Sequence, residues 1–145
     1  VVILDVTNPA ATTKIGEVTY ANTAYTHQGW FNSTKNYFLV GDEYDEKSLG
    51  NNSRTIIFDF TDLDNPTYHS QFLNTTKAID HNLYIKGDLA FEANYRSGLR
   101  VLNVADINNI SEVGYFDTYP PLRFYSKKMQ RDENTKPTDL ENNLS

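Results

Sequence analysis

The sequence predicts an all-β fold of repeated four-stranded antiparallel blades, a partial β-propeller of about two and a half blades with a polar C-terminal tail. Three observations carry this. Short apolar strands, each with an Asp or Asn near its end, recur along the chain. Two histidines sit at the same phase of neighbouring units. The aromatic content, Tyr 10 and Phe 8, favours strands, and no apolar stripe of helical period precedes Pro120.

The opening segment Val2-Ile3-Leu4-Asp5-Val6 runs into the turn signal Asn8-Pro9. Ile56-Ile57-Phe58-Asp59-Phe60 leads to Asp64-Asn65-Pro66, and Arg100-Val101-Leu102-Asn103-Val104 to Ala105-Asp106. From Asp5 to His27 is 22 positions, and so is Asp59 to His81 and His81 to Asn103. His27 to Asp59 is 32, so one unit of about 44 residues carries about ten extra, assigned to the polar stretch 43–52. The strands are expected at 1–6 and 14–20, then 24–31, 36–42, 54–60 and 67–73, then 78–85, 88–94, 99–104 and 111–117. A two-sheet antiparallel sandwich is the rival fold, and the matched 22-residue intervals favour the repeat. Two and a half blades do not close a ring. The expectation is therefore that the chain is a fragment or processed product of a longer protein, or that other protein chains complete the array. The repeats are assigned to 1–120 and a divergent or disordered tail to 121–145, where charges and Asn dominate.

Composition narrows the function. The net charge of -6 and pI near 4.9 argue against a nucleic-acid partner. No apolar run reaches the 18 or so residues of a membrane helix. Without cysteine there is no disulfide, zinc–thiolate site or thiol nucleophile. Neither a Gly-x-Ser-x-Gly elbow, a phosphate loop nor a dinucleotide fingerprint is present.

The chain resembles the LVIVD-repeat proteins of the choice-of-anchor B family. The matching motifs are Thr26-His27-Gln28-Gly29-Trp30, Tyr37-Phe38-Leu39-Val40-Gly41-Asp42-Glu43-Tyr44-Asp45-Glu46 and Arg54-Thr55-Ile56-Ile57-Phe58-Asp59. They continue in Ile79-Asp80-His81-Asn82-Leu83-Tyr84, Ala93-Asn94-Tyr95-Arg96-Ser97-Gly98-Leu99-Arg100-Val101-Leu102 and Glu112-Val113-Gly114-Tyr115-Phe116-Asp117-Thr118-Tyr119-Pro120. The resemblance implies an extracellular or surface-anchored β-propeller with no settled enzymatic activity. It departs after Pro120, where the family continues into a further blade.

His27 and His81 are the sharpest candidates for chemistry. Equivalent positions on the first strands of adjacent blades lie side by side. With Asp42, the two imidazoles form a candidate site for a divalent metal, calcium or zinc. Asn94 is the counterpart of Asp42, and Asp80 is placed to orient His81. The plainer reading is that both histidines bond neighbouring strands or line a wet channel. The acidic run Asp42-Glu43-Tyr44-Asp45-Glu46 reads as a solvated loop, with calcium ligation the rival. His69 is expected on the surface. Trp30 is expected to pack between blades, with a carbohydrate-stacking platform the alternative. Asn-x-Ser/Thr occurs at Asn32, Asn51, Asn74, Asn109 and Asn143, and the first four are candidate N-glycan sites.

These features together predict a non-catalytic extracellular interaction or structural module. The rivals are a metal-dependent hydrolase built on His27, His81 and Asp42, and a carbohydrate-binding module.

Overall fold

A computed structural model describes residues 1–118. The expected tail at 121–145 and the Asn143 sequon lie outside the described residues.

The fold is all-β, with three antiparallel sheets of two, four and four strands. Strands β1 (Val2–Asp5) and β2 (Thr13–Glu17) form a hairpin. The first four-stranded sheet runs β3 (Thr26–Phe31), β4 (Tyr37–Asp42), β5 (Arg54–Asp59) and β6 (Thr67–Leu73). The second runs β7 (Leu83–Lys86), β8 (Leu89–Asn94), β9 (Gly98–Asn103) and β10 (Ser111–Phe116). In both, spatial order equals chain order, so each is a simple meander.

The repeated Asp or Asn has a common physical role. Asp5 Oδ1 accepts from Thr7 N at 2.9 Å, Asp59 Oδ1 from Thr61 N at 2.9 Å, and Asn103 Oδ1 from Ala105 N at 3.0 Å. A side chain that bonds its own backbone two residues on turns the chain out of the ladder. The Thr7 N–H holds the Asp5 carboxyl below the usual range, and the Thr61 hydroxyl, with the Thr61 N–H, does the same for Asp59.

The first four-stranded sheet is buried on both faces. Leu39 and Ile57 meet Leu83, Ala90, Leu102, Val104 and Ile107 of the second sheet and its loops. Val40, Ile56 and Phe58 pack on the other side with Tyr20 and Phe60, joined by Val1, Ile3 and Val18 from the hairpin side. Burial on both faces explains the unbroken apolar runs Phe38-Leu39-Val40 and Ile56-Ile57-Phe58. The flanking sheets alternate instead: Ala90, Glu92 and Asn94 are buried, while Leu89 and Ala93 are exposed.

Several boundaries differ from expectation: β2 ends at Glu17 rather than at 20, β3 begins at Thr26 rather than at 24, and two differences are larger. The segment expected as a strand at 78–85 enters the ladder only at Leu83. Residues His81 and Asn82 still exchange backbone bonds with Ala93 at 3.0 and 2.8 Å. The chain is diverted there because Asp80 N donates to Glu46 Oε1 at 3.2 Å, toward the other sheet. The extra residues between β4 and β5 contain a short helix, α1 (Asp45–Leu49), where the second sheet has only the 3₁₀ turn Tyr95–Ser97. Five residues cannot sustain a helix alone. Gly50, at φ 76°, closes it by donating to Glu46 O at 3.0 Å, and buried side chains anchor it.

Candidate functional site

The acidic run expected to be a solvated loop is buried, and it forms the seam between the two four-stranded sheets. Asp42, Glu43, Asp45 and Glu46 are all buried, as are Asp80 and Glu92 from the second repeat. Tyr44 alone in the run is exposed, at φ 80°. Its left-handed backbone sends the flanking side chains inward.

Asp42 ends β4. Its carboxylate accepts from Ala24 N at 3.0 Å and from Tyr25 N at 2.5 Å, and pairs with Arg54 Nη2 at 3.1 Å. It thereby fixes the segment that enters β3. The sequence expectation grouped Asp42 with the histidines, and the structure corrects this: its oxygens are committed to backbone and guanidinium. Arg54 is the hub. Nε donates to Asp45 Oδ2 at 2.6 Å, Nη2 also to Asn22 O at 2.9 Å, and Nη1 to Ala21 O at 3.3 Å and Gln71 Oε1 at 3.4 Å. All five donors of the fork are used. Its guanidinium also lies over the Tyr20 ring, 5.6 Å from the centroid.

His27 and His81 do come together, with ring centroids 4.3 Å apart. His27 sits at a β-bulge: Thr26 pairs with Asp42 and Gln28 with Gly41, leaving His27 the extra residue. A bulge re-aims its side chain. The carboxylate beside the rings is Glu43, with Oε2 3.5 Å from His27 Nδ1. Tyr95 Oη donates to Glu43 Oε1 at 2.6 Å, which raises the Tyr95 phenol to about 12. Tyr95 also meets His81 edge to face at 5.7 Å. His27, Glu43 and His81 each offer an atom within 4.8 Å of the others, a donor set suited to zinc or a similar metal. A cavity of about 420 Å³ adjoins them, lined by His81, Asn94, Tyr95 and Leu99 among others. Sequence reasoning weighed Glu43 only within the acidic run, not beside the histidines, and missed Tyr95. Their only signal was adjacency to the expected residues.

Deeper in the seam, Asp45, Glu46 and Asp80 converge. Burial pushes the Asp80 carboxyl up to about 9, with the neighbouring Glu46 charge adding to it. Burial also raises Asp45 to about 6, against the opposing hydrogen bond from Arg54. Gly41 leaves room for Asp80, since a Cβ there would overlap Asp80 Oδ2. Glu92 is raised by burial although Thr55 Oγ1 and Asn74 Nδ2 bond it at 2.5 and 2.9 Å.

Other expected sites fall out as follows. Trp30 and Tyr84 meet edge to face at 5.1 Å across the two sheets, the inter-sheet packing expected of Trp30, although it stays 43% exposed. His69 is half-buried and bonds Asn108 at 3.2 Å, so it links the sheets rather than standing free on the surface. Asn74 is 3% exposed with its amide nitrogen on Glu92. A glycan cannot be carried there in this fold, which corrects the expectation for that sequon. Asn109 is exposed, and Asn32 and Asn51 are half-exposed.

No protein-family model matches the chain, and no curated protein is significantly similar to it in sequence.

Proposed function

We propose that the chain is part of a propeller-like array and serves as a non-catalytic interaction or structural module of an extracellular or cell-surface assembly. One observation carries the reading: the stack has apolar faces at both ends. On the hairpin, Val2, Leu4 and Val6 recur at every second position and are 54%, 50% and 60% exposed, while Ile3 packs inward. On the second sheet, Phe91 pairs with Val101 and Leu99 with Phe116, all on the face opposite Ala90 and Leu102. Among the described residues none of these four joins either core cluster, and Phe116 is 68% exposed. Faces of this kind suit a further sheet of the same type, from a longer chain or a second copy. The LVIVD-like motifs support the propeller reading. The sequons at Asn32, Asn51 and Asn109 support an extracellular setting.

Sedimentation velocity on the chain tests this. The expected result is reversible, concentration-dependent self-association, abolished in Leu4→Lys with an unchanged circular dichroism spectrum. A strictly monomeric wild-type chain at every concentration would contradict it.

The 4.3 Å approach of His27 and His81 beside Glu43 favours a second reading, a metal-dependent hydrolase. It requires a stoichiometric transition metal that is lost, together with a hydrolytic activity, in His27→Ala/His81→Ala.

A further inference from the structure

The seam holds a second cluster that the histidine site does not use. Asp45 is 0% exposed, Glu46 6% and Asp80 7%. One carboxylate oxygen from each lies within 4.8 Å of the other two. Asp45 Oδ1, Glu46 Oε2 and Asp80 Oδ1 have no hydrogen-bond partner among the described residues. Carboxylate oxygens stripped of water and left unpaired are costly, the more so when charged.

Among the described residues the one basic side chain bonded in the cluster, Arg54, does not relieve them. Arg54 binds Asp45 through the other oxygen, Oδ2, and its remaining donors go to Asp42, Gln71 and two backbone carbonyls. Glu46 Oε1 takes the Asp80 N–H, which leaves Oε2 unserved. One guanidinium therefore faces several buried acids, and the shortfall of positive charge lies in the cluster of Asp45, Glu46 and Asp80.

We propose that Asp45, Glu46 and Asp80 bind a calcium ion that clamps the inserted helix α1 to the second sheet. The donors are all carboxylate oxygens, which select a hard cation over a transition metal. Oxygens within 4.8 Å of one another fit around an ion held at about 2.3–2.6 Å. Calcium also tolerates the irregular geometry of ligands drawn from a helix start and a turn, whereas magnesium demands near-ideal octahedral order. Asp45 and Glu46 come from the first repeat and Asp80 from the second, so the ion joins the two four-stranded units directly. The site is independent of the reading of the end faces.

The test uses the full chain after chelator treatment. Bound calcium is counted by equilibrium dialysis, and thermal unfolding is followed with calcium, with magnesium, and with sodium chloride of equal ionic strength. The wild type is expected to bind one calcium per chain and to melt at a higher temperature in calcium than in either control salt. Asp80→Asn and Glu46→Gln avoid the Arg54 partner and are expected to lose the calcium and the thermal shift while keeping the wild-type circular dichroism. His27→Ala/His81→Ala is expected to keep both. Wild-type chain that binds no calcium would overturn the proposal. So would equal binding in Asp80→Asn and Glu46→Gln, or loss confined to the histidine variant.

Discussion

Replacing Arg54 with alanine is expected to cost about 3–5 kcal/mol of folding free energy, the range for removing one partner of a buried ion pair. The side chain is 5% exposed and faces two carboxylates that are fully buried. Without it, Asp42 and Asp45 lose their charge partner, and the carbonyls of Ala21 and Asn22 lose their donor. Such a loss is a large part of the 5–15 kcal/mol that holds an ordinary domain together. Arg54→Lys is expected to recover only part of the loss, because an ammonium cannot reproduce the five-donor fork. Urea unfolding followed by circular dichroism measures it. A loss below about 1 kcal/mol, the scale of an exposed ion pair, would mean that the seam is hydrated rather than buried.

Phe58→Ala carries a comparable cost by a different mechanism, about 3–5 kcal/mol from lost transfer energy and the cavity left behind. Phe58 is 0% exposed, with the rings of Tyr20 and Phe60 at 5.8 and 6.0 Å. It lies in the cluster that joins the first four-stranded sheet to the hairpin side, so its removal weakens that joint first. Phe116→Ala is the control. Its ring is exposed, and its loss is expected to change stability by no more than about 0.5 kcal/mol. Equal effects at the two positions in denaturant titrations would contradict the two-faced burial of the middle sheet.

The repeat was legible because its landmarks obey local physics. Asp5, Asp59 and Asn103 each close a strand with the same side-chain-to-backbone bond, which depends on residue type and spacing alone. Strand period and turn signals located every strand of both meanders, apart from the late start of β7. The equal phase of His27 and His81 foretold their contact, because equivalent positions of packed neighbouring meanders face each other, although His81 precedes β7. What sequence could not supply was the direction of side chains in irregular backbone. Whether Asp42 or Glu43 reaches the histidines turns on the end of β4 and the left-handed Tyr44. The burial of four acids in five residues reverses the usual preference of Asp and Glu for water. The long-range partner Arg54 offsets that cost at Asp42 and Asp45. A long-range partner also decides Asn74, whose sequon is intact while its amide is taken by Glu92 from the next repeat.

The pairing of equivalent positions across the seam underlies the packing of the two four-stranded sheets and both candidate metal sites, and the absence of cysteine makes it directly measurable. In a His27→Cys/His81→Cys variant, both thiols would be treated with a short fluorogenic dithiol cross-linker. The account predicts rapid intramolecular bridging in the native protein, independent of protein concentration and lost in urea. If each thiol reacts readily with a single-armed reagent and no bridge forms in the native state, the two sheets do not meet at this seam and the account fails.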